Sequence, residues 1–342
     1  MVSVIIPIYN VQNFINNGIQ QILHQSYKDF EVILVDDGST DGSLEECRKW
    51  AVKDTRIRVF HQRNEGAGSA RNHGIEEAKG EYLYFFDIDD KLAENTLEYN
   101  VKIMQQKAVD MIVFGYNNIE TTYKSKTTVS FPDTEIISNT QLRNIYVDEF
   151  IVKVNGFPWN KFYRKSFLNR HKLRFENQRI QQDEVFNLLC YQHIQKMYLS
   201  SKVLYTYYVY EKGNTRSCFI PDRFDIYKSV RQHFERLKIL WKIKDQRFED
   251  YLNNRFFVSV LQCMQFNLSH PDCPWTMEQK RQEMNRIMSD SETISAFAYA
   301  KGHIHNLEQR LYMKACQNKN MRQLNFYTNL FHNLHKLRKK II

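Results

Sequence analysis

Four polar runs in the chain each follow a strongly apolar stretch: Pro7-Ile-Tyr-Asn10, Asp36-Asp-Gly-Ser-Thr-Asp41, Asn64-Glu-Gly-Ala-Gly-Ser-Ala-Arg71-Asn-His-Gly74 and Asp87-Ile-Asp-Asp90. The last puts carboxylates directly behind the apolar run Tyr82–Phe86. Acids at the mouth of a buried sheet are costly unless a cation compensates them. Hard oxygen ligands favour Mg²⁺ or Mn²⁺, shared with phosphates and water. A helix N-cap with acids in the first turn accounts for the same residues equally well. The Asp36–Asp41 run makes a good turn, and a carboxylate there could instead accept hydrogen bonds from a base or a ribose. The 64–74 run resembles a phosphate-binding glycine loop. Its Arg71 replaces the third small residue of the dinucleotide fingerprint, and the slot after the first strand holds Pro-Ile-Tyr-Asn rather than glycines, which disfavours a nicotinamide cofactor.

These runs need elements to hold them. Val2–Ile8, Phe30–Val35, Arg56–Phe60, Glu81–Phe86 and Met111–Tyr116 read as short apolar strands. Between them lie helical patterns: Phe14, Ile15, Ile19, Ile22 and Leu23 at helical spacing, a Ser43–Glu46 capping box opening a helix to about residue 53, Ala67–Lys79, and Leu92–Lys107. Strand–helix alternation predicts βαβ units and a mainly parallel sheet. Ligands of such sheets bind at the carboxyl ends of the strands, where the polar runs fall. From residue 222 the pattern turns helical: a long periodic stretch over 223–268, a Thr276–Gln279 capping box, and a last helix with Leu324, Tyr327, Leu330, Phe331, Leu334 and Leu337 on one face.

Composition bounds the answer. With 342 residues, 42% hydrophobic and 25% charged, the chain is an ordinary globular one of about two domains. Its six cysteines form no C-x-x-C and no regular spacing, which argues against a disulfide framework or a zinc cluster and fits a reducing cytosol. No charged n-region with an apolar h-region opens the sequence, so no signal peptide is expected, and no apolar run is long enough for a membrane span. The net charge of +9 is unevenly spread: residues 1–110 carry 12 basic and 18 acidic residues, and the last 42 carry nine basic and one acidic. The basic tail predicts either an anionic partner such as a membrane surface, or a solvated helix face.

Taken together, Pro7-Ile-Tyr-Asn, Val35-Asp-Asp-Gly-Ser-Thr-Asp-Gly-Ser, Asn64-Glu-Gly…Ala70-Arg-Asn-x-Gly-Ile and Phe86-Asp-Ile-Asp-Asp resemble glycosyltransferase family 2 in order and spacing. The resemblance continues through Pro158-Trp-Asn-Lys161-Phe-Tyr-Arg, Gln182-Asp183-Glu-Val-Phe186 and Tyr207–Ser217. It implies an α/β, GT-A (Rossmann-like) catalytic domain with a mainly parallel mixed sheet over residues 1–221, followed by a helical region over 222–342. It also implies an inverting, metal-dependent enzyme (Mn²⁺ or Mg²⁺) that uses a nucleotide-diphosphate sugar, most often of uridine. On this resemblance Pro7 and Tyr9 hold the nucleobase, Asp36 accepts its N–H, and Arg71 lies near the base or diphosphate. Asp87 faces ribose and metal, Asp89 ligates the metal, and Asp90 stands behind it or caps a helix. Asp183 is the general base, with Glu184 as the weaker alternative. Gln182 departs from the family's usual Glu, which leaves that residue's supporting role without a carboxylate.

Lys161 is expected at the phosphates or a carboxylate, against a structural role. Arg216 and Ser217 are expected on a loop over the donor. The acceptor implied is a glycan or lipid-linked sugar of a surface or capsular polysaccharide or lipopolysaccharide, handled in the cytoplasm or at the inner face of the membrane, with no nucleic-acid partner. Three other functions compete. A glycoside hydrolase would need two carboxylates flanking a sugar, and the dense Asp cluster suits phosphate and metal better. A non-catalytic nucleotide-sugar binder would not need Asp183 beside Asp87 and Asp89. A nucleotidyltransferase would have a basic glycine-rich loop near the N-terminus.

Overall fold

The computed structural model describes residues 1–122, 124–154, 156–210, 218–304 and 306–341, without the side chains of 152–154, 332 and 335–341. The expected positions Arg216 and Ser217 lie outside the described residues. The chain divides into two units, Met1–Tyr210 and 211–342.

The first unit opens with β1 (Val2–Ile8), α1 (Gln12–Leu23), β2 (Phe30–Asp37), α2 (Ser43–Lys53), β3 (Ile57–Gln62), α3 (Ala67–Glu77), β4 (Tyr82–Phe85), β5 (Lys91–Leu92) and α4 (Thr96–Lys107). It continues with β6 (Met111–Glu120), β7 (Ser125–Val129), β8 (Thr134–Ile136), α5 (Asn139–Ile145), a π-helical stretch Tyr146–Val154, β9 (Lys161–Arg164), α6 (Lys165–Arg170), α7 (Gln182–His193) and β10 (Met197–Val209). The strands form one sheet in the order β3-β2-β1-β4-β9-β6-β10-β5, with β7 on β6 and β8 on β10. β1, β2, β3 and β4 pair in parallel, and β9 is antiparallel to both its neighbours. Parallel strands are covered on both faces, so β1 and the start of β2 read as apolar runs rather than alternating ones, interrupted by Ser3 and Glu31, which bond each other at 2.7 Å. The chain steps outward from β1 to β3 and then returns to β4 on the other side. The crevice at the carboxyl ends of β1 and β4 is therefore the topological switch point.

Two local expectations fail for clear reasons. Ser43 does not cap α2: Gly42 takes that position without a side-chain bond, while Ser43 Oγ accepts from the Val11 N–H at 2.9 Å and Asp41 Oδ1 accepts from the Ser43 N–H at 2.9 Å. The Asp87–Asp90 run opens no helix. It turns into β5, and α4 starts only at Thr96.

The second unit is helical: α8 (Arg223–Trp241), α9 (Gln246–Cys263) continued by a π-helical turn Met264–Leu268, α10 (Met277–Met288), α11 (Ser291–His303), α12 (Leu307–Gln317) and α13 (Met321–Ile341). The periodic stretch 223–268 is two helices, because Lys242 adopts a left-handed conformation (φ 53°) that ends α8. The Thr276–Gln279 capping box is formed, with bonds of 3.2 and 2.8 Å. The last helix does not carry one apolar face. Leu324 is buried and Tyr327 and Phe331 pack near Tyr312, while Phe326, Leu330 and Leu334 are exposed.

Candidate active site

β1 ends in Pro7, half-buried, and Tyr9, which is 47% exposed and so free to lie against a flat ring. Asn10 is left-handed (φ 53°), and its Oδ1 accepts from the Thr40 N–H at 2.8 Å, tying the turn after β1 to the turn after β2. Asn commonly tolerates this conformation because its short amide bonds locally.

The tandem acids of β2 are both inward. Asp37 braces the glycine loop: it accepts from the N–H of Glu65 and of Gly66, at 3.0 and 2.8 Å, and from Gln62 Nε2 at 2.8 Å. Gly66 (φ 96°) needs that bracing, since only glycine occupies its conformation without strain. Asp36 is fully buried, and its Oδ2 lies 2.7 Å from His61 Nδ1. Asp36 Oδ1 is buried with no partner among the described residues.

α3 carries Arg71 into the interior. Its Nη2 donates to Asp87 Oδ1 at 2.8 Å, and the guanidinium lies over the Phe175 ring, 5.5 Å from the ring centre. Arg71 is 5% exposed and its Nε has no partner among the described residues. It fixes Asp87 from behind. Asp89 is partly buried, and its carboxyl is pushed up to about 6 by burial and then by Asp87. Asp90 is buried and accepts from Tyr205 Oη at 2.6 Å and the Tyr208 N–H at 2.9 Å, so it belongs to the β10 contact and caps no helix. Burial, then Asp89 and Asp87, push its carboxyl well up.

One guanidinium thus faces three clustered acids, and Asp89 carries the unrelieved charge. A divalent cation fits that imbalance. Asp87 and Asp89 would be its protein ligands. No group of three or more metal-ligating side chains occurs among the described residues.

Asp183 lies in the first turn of α7, where its Oδ1 accepts from the Glu184 N–H at 2.9 Å. The adjoining Gln182 packs on α3 so closely that a Cβ at Gly68 would lie 2.9 Å from its Cγ. α3 therefore touches the α7 start and also holds Asp87 through Arg71. Gln182 Oε1 is buried with no partner among the described residues.

Lys161 is expected at the phosphates or a carboxylate, against a structural role. It is wholly buried in β9, and its Nζ donates to Asn160 Oδ1 at 2.9 Å and to the Phe157 carbonyl at 2.5 Å. Burial pulls its ammonium down to about 7, against the pull of the Asp183 charge. An ammonium enclosed this way does not reach a donor phosphate. Sequence reasoning did not single out His61, and it read Asp37 only as part of the Asp36–Asp41 run and Tyr205–Tyr210 as strand core. His61 could have been found by extending the strand-end rule to the last residues of β3, whereas the tyrosines give no local signal because they arrive from the far end of the unit.

Residues 3–172 match the family model for glycosyl transferase family 2. The uncharacterized glycosyltransferase EpsJ of Bacillus subtilis is 32% identical over 212 residues, covering 60% of this chain and 60% of EpsJ. The chain thus spans less than two thirds of this curated relative. Among solved structures, S. aureus TarS 1–349 in complex with UDP-GlcNAc aligns with a TM-score of 0.61 at 18% identity, over 97% of this chain and 91% of that one. The mannosyltransferase PcManGT of Pyrobaculum calidifontis, in complex with GDP-Man and Mn²⁺, aligns at 0.51 and 17% identity, over 96% and 86%. These likenesses establish the GT-A fold. The four strand-end motifs, the mixed sheet with its switch point and the family match agree, and the chain belongs to glycosyltransferase family 2.

Proposed function

We propose that the chain is an inverting glycosyltransferase that moves a sugar from a uridine-diphosphate sugar to a hydroxyl of a glycan or lipid-linked acceptor in surface-polysaccharide synthesis. The observation that carries this reading is the double attachment of α3, which holds Asp87 through Arg71 and packs on the α7 turn that bears Asp183. A donor-holding acid and a candidate base are thereby built on one rigid frame. The complexes of TarS with UDP-GlcNAc and of PcManGT with GDP-Man and Mn²⁺ support a nucleotide-sugar donor and a divalent ion.

In this reading Tyr9 stacks on the base and Pro7 lines its edge. Asp183 takes the proton of the acceptor hydroxyl as its oxygen bonds to the anomeric carbon. The bond from that carbon to the diphosphate oxygen breaks on the opposite face, and the nucleoside diphosphate leaves with the electron pair. Asp87 and Asp89 would hold Mn²⁺ or Mg²⁺, which would supply charge neutralisation for the departing diphosphate. Arg71 keeps Asp87 oriented.

The decisive experiment is a panel of nucleotide sugars scored for nucleotide release with and without Mn²⁺. A uridine sugar should be turned over only with the metal. By calorimetry, Asp89→Ala should lose the metal-dependent part of UDP binding, and unchanged affinity would remove Asp89 from the metal site.

We also propose peripheral contact with an anionic membrane. Phe326, Leu330 and Leu334 are 61%, 37% and 43% exposed at helical spacing on α13, and Lys336, Arg338, Lys339 and Lys340 follow them in sequence. No described helix is long and apolar enough to cross a membrane.

A further inference from the structure

Asn187, one turn along α7 from Asp183, is fully buried. Its Nδ2 donates to the Gly156 carbonyl at 2.6 Å and to the Asp183 carbonyl at 3.0 Å, and its Oδ1 accepts from Tyr163 Oη, in β9, at 2.8 Å. Two carbonyl oxygens face the nitrogen, so the amide fits one way round only. Gly156 also lies directly against the same turn: a Cβ on it would stand 2.0 Å from Glu184 Cα. The chain that follows Gly156 is tied to the sheet. Tyr84 Oη, from β4, donates to the Trp159 carbonyl at 3.0 Å, and Asn160 Nδ2 donates to the Phe114 carbonyl of β6 at 3.2 Å. One buried amide thus joins the Asp183 turn to β9 and to the segment 156–160. Packing α7 on the sheet needs only an apolar side chain here, and burying an amide is costly unless every group is paired. What the amide adds is a fixed position for the first turn.

We propose that Asn187 is a positioning residue for the proton transfer, holding the first turn of α7 where the Asp183 carboxylate meets the acceptor hydroxyl. This rests on the reading of Asp183 as the general base. Asn187 acts through Asp183 alone, so its contribution disappears once that carboxylate is gone. A residue that only stabilised the fold would contribute equally with or without it.

The test is a double-mutant cycle on the full chain, Asn187→Leu against Asp183→Asn. It is read as Mn²⁺-dependent nucleotide release from the uridine sugar turned over fastest, with UDP affinity measured by calorimetry. Asn187→Leu should lower kcat by roughly 10²-fold, the scale of a misplacement of about 1 Å, and leave UDP affinity unchanged. Added to Asp183→Asn, the same change should cost less than about twofold more, close to the resolution of such cycles. Tyr163→Phe removes only the bond to Asn187 Oδ1. It should give a smaller loss with the same dependence on Asp183, and it carries the test if Asn187→Leu does not fold. Near-normal turnover in Asn187→Leu, an equal loss with and without the Asp183 carboxylate, or weakened UDP binding would overturn the assignment to Asn187 by itself. Near-normal turnover in Asp183→Asn alone, or no uridine sugar turned over by the unaltered protein, would remove the base reading, and the assignment falls with it.

Discussion

At the scale of the residue, charge and burial separate groups that look alike in sequence. Asp36, Asp37, Asp87, Asp89 and Asp90 all follow apolar strands. One orients an imidazole, one braces a loop, one is pinned by Arg71, one is left under-compensated, and one is tied to β10. Asp183 is the residue assigned the proton. Asp183→Asn should keep UDP affinity and lower turnover by roughly 10²-fold or more, the usual scale for a general base. Near-normal turnover in a steady-state assay would move the base to Glu184 or elsewhere. Lys161 gives a prediction with a sign. Its folded-state ammonium is pulled down to about 7, below an unfolded value of about 10.4. Between these values the unfolded chain binds the proton more fully, so this group's contribution to stability rises with pH, by at most about 1.4 kcal/mol per unit. Urea unfolding at pH 7 and 8.5 should show that rise in the parent protein and a flatter one in Lys161→Met, with UDP affinity unchanged. Weakened UDP binding in Lys161→Met would restore it to the donor site.

At the scale of the element, α3 is the part on which the site depends. Its face toward β1 has no room: a Cβ at Gly74 would stand 2.3 Å from Ile5 Cγ2. The helix therefore lies close against the strand, and Arg71, one turn earlier, is held at the depth of Asp87. Gly74→Ala gains helix propensity of about 1 kcal/mol. Overpacking of a close contact costs about 1–3 kcal/mol and should win. Thermal unfolding should begin at a lower temperature in this variant, and donor affinity should fall as Arg71 shifts. A raised melting temperature would mean that the contact relaxes freely.

At the scale of the whole molecule, a sheet unit that carries every assigned site residue is joined to a helical unit with its own core, for example Phe257 against Phe297 with ring centres 5.1 Å apart. The exposed stripe of α13 and the basic residues after it bear on where the acceptor is met. Each basic residue near an anionic leaflet contributes about 1 kcal/mol, so the attraction should be weak and salt-sensitive. Flotation with anionic vesicles at low salt should carry the full chain upward and leave behind a variant with Lys336, Arg338, Lys339 and Lys340 changed to Gln. Equal recovery of the two would make the tail a solvated helix end.

The alternation of apolar strands and helices, and the polar runs that end the strands, were legible in the sequence because both are local. Parallel strands buried on both faces must be continuously apolar, and a chain leaving such a strand must turn. That much singled out the Asp87–Asp90 run, and the resemblance to glycosyltransferase family 2 added Pro7, Tyr9 and Asp183. Which acid does what was not local. Asp90 meets Tyr205 across 115 positions, Asp36 meets His61 across 25, and Arg71 reaches Asp87 through the depth of α3. Lys161 reads in sequence as a candidate for the phosphates or a carboxylate, and it is enclosed in β9, which lies between β4 and β6. A carboxylate's partners and its exposure come from segments distant in the chain. Its chemistry is therefore decided by the tertiary structure, while its position at a strand end is fixed by the sequence around it.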